Sequence, residues 1–105
     1  MKEKDYVIAK TLKERISGLT RIRDFKVFGS RAREDGDDYS DMDVYIEVEN
    51  LDESLKRKIR DVAWEVGFEG SIYISIMIFT SHEIHNTPLK ASPLVENIER
   101  QGIPI

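Results

Sequence analysis

Strict alternation of apolar and polar residues constrains this chain more than any other feature. From Asp43 to Glu49, Val44, Ile46 and Val48 point one way while Asp43, Tyr45, Glu47 and Glu49 point the other. From Ser71 to Phe79, Ile72, Ile74, Ile76 and Ile78 oppose Tyr73, Ser75, Met77 and Phe79. A period of two is that of a β-strand, whose successive side chains leave opposite faces. Each run is therefore a strand with one strongly apolar face. A third β-rich run, Ile22 to Phe28, sets Phe25 and Val27 against Asp24 and Lys26 and is broken by Gly29.

Helical periodicity fills the intervals. Ile8, Leu12, Ile16 and Leu19 recur at helical spacing, with Gly18 at the predicted stop. Asn50 and Glu53 have capping-box spacing and open a helix whose apolar stripe is Leu55, Ile59, Val62, Ala63 and Val66, with Gly67 predicted to close it. A short segment after Ser81 is broken by Pro88, and Ser92 with Pro93 starts a last helix that Gly102 stops. Strands alternating with helices predict an α/β (α+β) domain spanning 1–105, built on a small mixed sheet of three or slightly more strands. Its helices are expected mainly on the isoleucine face. The opposite face, with Asp43, Tyr45, Tyr73 and Ser75, is expected to be partly open.

Composition removes several classes of function. No apolar run approaches the roughly 18 residues of a membrane span, and the start, MKEKDYVIAK, lacks the apolar core of a secretory signal, so a cytoplasmic location is expected. The absence of cysteine excludes disulfides, thiol catalysis and thiolate metal sites. A net charge of -4 argues against nucleic acid as a major partner, although not against a nucleotide.

The chemistry gathers between Val27 and Val48. A glycine directly after a strand lets the backbone approach an anion closely, and the N–H groups of Ser30, Arg31 and Ala32 then lack helical partners. The Ser30 hydroxyl adds a donor. Asp41 and Asp43, at i and i+2, project to one side of a strand, roughly 5–7 Å apart, where like charges repel by roughly 3 kcal/mol at an effective dielectric near 20. A divalent cation relieves that repulsion, and hard oxygen ligands suit magnesium. Gly-Ser after a strand is by itself an ordinary turn, and Asp-x-Asp by itself is an ordinary solvated loop. Together, a triphosphate at Gly29 and Ser30 needs a metal, and the carboxylates lie one short loop away.

Gly29-Ser30, ten intervening residues, then Asp41-Met42-Asp43 entering a strand resembles the signature of the DNA polymerase beta-like nucleotidyltransferase superfamily. More narrowly, Gly29-Ser30-Arg31-Ala32-Arg33 with Ser40-Asp41-Met42-Asp43 in a chain this short resembles the minimal nucleotidyltransferases. The resemblance implies transfer of a nucleoside monophosphate from an NTP, ATP above all, with pyrophosphate leaving, by a two-metal mechanism. Gly29 and Ser30 would hold the phosphates, Asp41 and Asp43 the two Mg²⁺ ions, and Ser40 would orient the aspartate loop. Arg31 and Arg33 either neutralise phosphate or are solvated. The family further implies a helical HEPN-domain partner, the enzyme acting as antitoxin by modifying a hydroxyl of that toxin. The chain departs from the family at the third carboxylate: Ser75 stands where the neighbouring strand should supply it, with Glu47 and Glu69 as substitutes. The alternative reading is therefore a catalytically impaired module that binds a nucleotide or a protein.

Other motifs carry less. The aspartates from Asp35 to Asp43 lack the glycine and terminal glutamate of a calcium loop. His82 and His85 have no third ligand in view and read as surface residues. Tyr39 either stacks on a base or packs locally, Trp64 sits at the edge of its helix stripe, and Lys56 to Arg60 read as a solvated face.

Overall fold

A computed structural model describes residues 1–105. Helix α1 (Glu3–Ser17) leads into strand β1 (Ile22–Phe28), the short α2 (Gly29–Arg33), β2 (Met42–Val48), α3 (Glu53–Gly70), β3 (Ile74–Thr80), α4 (Ser81–Asn86), a 3-10 turn (Pro88–Ala91), α5 (Pro93–Gln101) and β4 (Ile103–Pro104). The sheet order is β3-β2-β1-β4. β1 runs antiparallel to β2 and β4, whereas β2 and β3 are parallel, which requires the long crossover that α3 provides. The result is a mixed α+β sheet with helices, as the alternation of strands and helices predicts. No helix is long and apolar enough to cross a membrane.

One face of the sheet carries the main core. Phe25 and Val27 of β1, Val44, Ile46 and Val48 of β2, and Ile74, Ile76 and Ile78 of β3 pack against Ala9, Leu12 and Ile16 of α1 and Ile59, Ala63 and Val66 of α3. The isoleucine face is thus the helix face. Fully burying one such aliphatic side chain stabilises by about 1.5–3 kcal/mol, which explains why period-two and period-3.6 patterns set both layers.

The other face is partly open, as expected, but Tyr45 does not lie on the open part: the face is closed over half its length. Tyr45 and Glu47 are only 1% and 7% exposed, because α4 and α5 fold back over them with Ile84, Val95 and Ile98. These short helices are well capped: Thr80 forms a capping box with Glu83, and Ser92 accepts from the Val95 N–H ahead of Pro93. Only the end of the face nearest Asp43, Tyr73 and Ser75 stays accessible.

Boundaries shift for local reasons. The N-cap of α3 is Asp52, accepting from the Leu55 N–H at 2.7 Å, not Asn50. The helix also runs through Gly67 to Gly70. Gly67 serves close packing: a Cβ there would lie 2.7 Å from the Ile72 carbonyl. The stop falls at Ser71, in the left-handed region at φ 58, so β3 starts three residues later than the alternation predicts. The two-residue β4 has no sequence signal strong enough to announce it.

Candidate active site

Three local events assemble the site. β1 ends at Phe28, which pairs with Asp43 at the start of β2. The chain then turns at Gly29 with φ 75, a conformation other residues avoid. A Cβ at Gly29 would sit 2.4 Å from Asp43 Oδ2, so the missing side chain is what lets the turn and the carboxylate touch. Gly36 does the same for the loop. A Cβ there would collide with Ser40 Oγ at 2.3 Å and Ser30 Oγ at 2.9 Å, so both serines pack on the bare glycine.

Each expected site residue can now be placed. Gly29, Ser30 and Asp43 converge at this turn. Asp41 is exposed and Asp43 partly buried. Ser40 shapes the approach to the aspartates: its Oγ accepts from the Asp37 N–H at 3.0 Å, and its N–H donates to the Asp37 carbonyl. Arg33 is exposed, donating to Asp35 at 2.8 Å. Arg31 is committed elsewhere. Its buried guanidinium donates to Asp5 of α1 at 2.9 Å, to the Ser40 carbonyl at 2.8 Å and to the Asp38 carbonyl at 3.1 Å. It braces the loop against α1, so the expectation that it contacts phosphate gives way to a positioning role. Gly36 and Asp5 are the functional neighbours that motif reading missed. No spacing rule links Asp5 to Arg31, 26 residues away.

Register says which residue stands beside Asp43 on the neighbouring strand. In the parallel pair, Asp43 lies opposite Ser75. The two glutamates expected as substitutes are engaged: Glu69 accepts from both terminal guanidinium nitrogens of Arg15 at 2.9 and 3.3 Å. The buried Glu47 accepts from Ser81 at 2.7 Å and lies 3.3 Å from His85 Nε2. No group of three His, Cys, Asp or Glu side chains is positioned to share a metal ion. A groove of about 720 Å³ opens beside the site, from Tyr39 and Ser40 past Ser75 to Trp64 and Phe68 of α3.

The electrostatics fit a cation at the two aspartates. Burial first, then the charge of Asp41, push the Asp43 carboxyl above its ordinary value, with Arg33 partly opposing them. A carboxyl raised in the folded state destabilises the fold once ionised: the effect is absent below the ordinary value of 3.8 and complete above the raised one. Removing that charge should therefore help the metal-free protein. Asp43→Asn is expected to raise the thermal midpoint at pH 7 by an amount corresponding to about 1 kcal/mol or less, given solvent screening. The gain should vanish near pH 3, as thermal melts across that range would read.

Comparison with known proteins agrees with this fold. A solved structure assigned as a minimal nucleotidyltransferase superposes with a TM-score of 0.67 at 19% identity, covering 98% of this chain and 94% of that one. A second, assigned as a nucleotidyltransferase from Sulfolobus solfataricus, gives a TM-score of 0.52 at 16% identity, covering 92% of this chain and 75% of that one. At such identities the likeness is one of fold. No protein of curated function matches the sequence. The sequence itself matches the nucleotidyltransferase domain family over residues 7–101, nearly the whole chain that builds the sheet, the Gly29 turn and the aspartate strand, and the chain belongs to that family.

Proposed function

We propose that the protein transfers a nucleoside monophosphate from an NTP, ATP above all, to a hydroxyl of an acceptor. The observation that carries this reading is the contact between the Gly29 turn and Asp43, where the Cα of a positive-φ glycine abuts a carboxylate that burial and Asp41 leave in need of a cation. In this reading Gly29 and Ser30 offer backbone and hydroxyl donors to the phosphates, with Arg33 the nearby exposed cation, and Arg31 keeps the loop in place. Asp41 and Asp43 would hold Mg²⁺. When bound, the ions would offset the charge of the triphosphate and favour the oxygen nucleophile. The acceptor oxygen bonds to the α-phosphorus, the bond to the bridging oxygen breaks, and pyrophosphate leaves. With Ser75 opposite Asp43 and both glutamates engaged, the chain supplies no third carboxylate, and the hydroxyl proton passes to solvent water. The family resemblance supports a HEPN-type helical protein as the acceptor and an antitoxin role.

Register also favours a second reading, an impaired module that binds nucleotide or protein without turnover, because Ser75 cannot serve as an ionised ligand. Incubation with Mg²⁺, labelled ATP and candidate acceptors separates the two. Label transfer is expected from the unmodified chain and should fall at least ~10³-fold in Asp43→Asn, the loss of a few kcal/mol of transition-state stabilisation. ATP binding without transfer by the unmodified protein would leave the binding module standing.

A further inference from the structure

The two edges of the sheet are unequally protected. β4 is two residues long and contains Pro104, both of which blunt an edge. β3, at the other end of the sheet, is seven residues long, ISIMIFT, with no charge, proline or glycine. Folded monomers normally guard such an edge, since its unpaired backbone groups template further strands. Beside it lies a cluster of exposed aromatic side chains. Trp64 and Phe68 of α3 are 65% and 73% exposed, and Tyr73 is 66% exposed. The Trp64 and Phe68 rings stack at 5.3 Å and stand on the wall of the 720 Å³ groove that follows the strand from Ile72 to Ile76.

We propose that two copies of this chain pair through the outer edge of β3, each laying its Trp64–Phe68 pair against the far end of the other's strand, from Ile78 to Thr80. A two-fold axis perpendicular to the sheet makes the two β3 strands antiparallel. It places apolar face beside apolar face and both helical layers on one side. Centred on Met77, the pairing sets Ile76 against Ile78 and requires no complementary charge. That is what an uncharged strand can satisfy with itself. Nucleic acid fits poorly, because the strand has no Lys or Arg and in the groove Asp38 and Asp61 outnumber the single cation, Arg60. The area is adequate: three aromatic side chains at these exposures offer on the order of 400 Å² per copy, about half of what a standard interface takes from each partner. The strand edge and groove walls supply the remainder.

Sedimentation of the full chain from roughly 1 to 200 µM, a range that brackets interfaces of ordinary size and modest affinity, tests the proposal. The expected result is a monomer–dimer transition ending at twice the 12.2 kDa chain mass. Emission from Trp64, the one tryptophan, should shift to shorter wavelength in step. Hydrogen exchange should show the outward amides of Ile74–Thr80, those not bonded to β2, protected in the dimer. Trp64→Glu/Phe68→Glu, at two solvent-exposed helix positions, should keep native circular dichroism, remain monomeric and lose that protection. Trp64→Arg alone gives the same readout should the double variant fail to fold. A monomer throughout the range overturns the proposal. So does a dimer that survives these substitutions with β3 amides still unprotected, or a chain that associates only with a different protein.

Discussion

Arg31→Ala is expected to lower the unfolding free energy by about 3–5 kcal/mol, the cost of orphaning a charge in a buried ion pair. The Arg31 and Asp5 side chains are 9% and 4% exposed, so Asp5 would be left buried without its cation, and the Asp38 and Ser40 carbonyls would lose their donors. In a domain of this size that corresponds to a midpoint lowered by roughly 15 °C or more, a large share of a total of about 5–15 kcal/mol. Urea or thermal unfolding reads it directly. The reciprocal Asp5→Ala should cost less, because the guanidinium keeps its two carbonyl acceptors. The double variant should fall short of the sum, since each change removes the same pair. Additive losses would show that the two residues act separately and that the brace between α1 and the loop is not what holds Arg31. The effect should reach the site as well. The loop that Arg31 ties down contains Ser40 and precedes Asp41, so ATP binding in Mg²⁺ should weaken even at temperatures where the variant is folded.

Arg31 also marks the limit of what the sequence discloses. An arginine directly after Gly-Ser has the local appearance of a phosphate ligand, and only tertiary structure reveals that its charge is answered by an aspartate in the first turn of α1. Residues whose role depends on neighbours along one strand were legible. Val44, Ile46 and Val48 fall on the core face as alternation requires, Gly29 ends β1 with Asp43 against it, and Asp41 is near enough for its charge to act on Asp43. Long-range closure was not legible. Tyr45 alternates with apolar neighbours as a solvent-facing residue would, yet α5, some 50 residues on, covers it; nothing in the β2 pattern can specify which face a distant helix will occupy. The same closure removes Glu47 from use, because the helix that buries it brings Ser81 and His85 to its carboxylate.

Ser75→Asp is expected to turn the paired aspartates into a three-carboxylate site, and its effect should change sign with the metal. Asp43 and Ser75 face each other across adjacent parallel strands, which lie about 4.8 Å apart. A new carboxylate there joins two that already repel. At about 5 Å and an effective dielectric near 20 one added pair costs roughly 3 kcal/mol, less where solvent screens it. Without metal the variant should therefore melt lower than the unmodified chain. With millimolar Mg²⁺ the order should reverse, because an added oxygen ligand tightens binding to the folded state alone and the stabilisation grows as the ratio of free metal to dissociation constant. Reversal requires the gain in Mg²⁺ affinity to exceed the repulsion, roughly 150-fold for 3 kcal/mol, and label transfer from ATP should rise at least ~10-fold with it. Ser75→Asn, similar in shape and uncharged, should show neither the loss nor the recovery. Ser75→Asp in an Asp43→Asn background should lose most of the gain, since the new carboxylate works only beside the old one. If Ser75→Asp melts lower with and without Mg²⁺ alike, position 75 does not face the metal. The serine would then be no defect in a catalytic triad, and the chain would be judged by Asp41 and Asp43 alone.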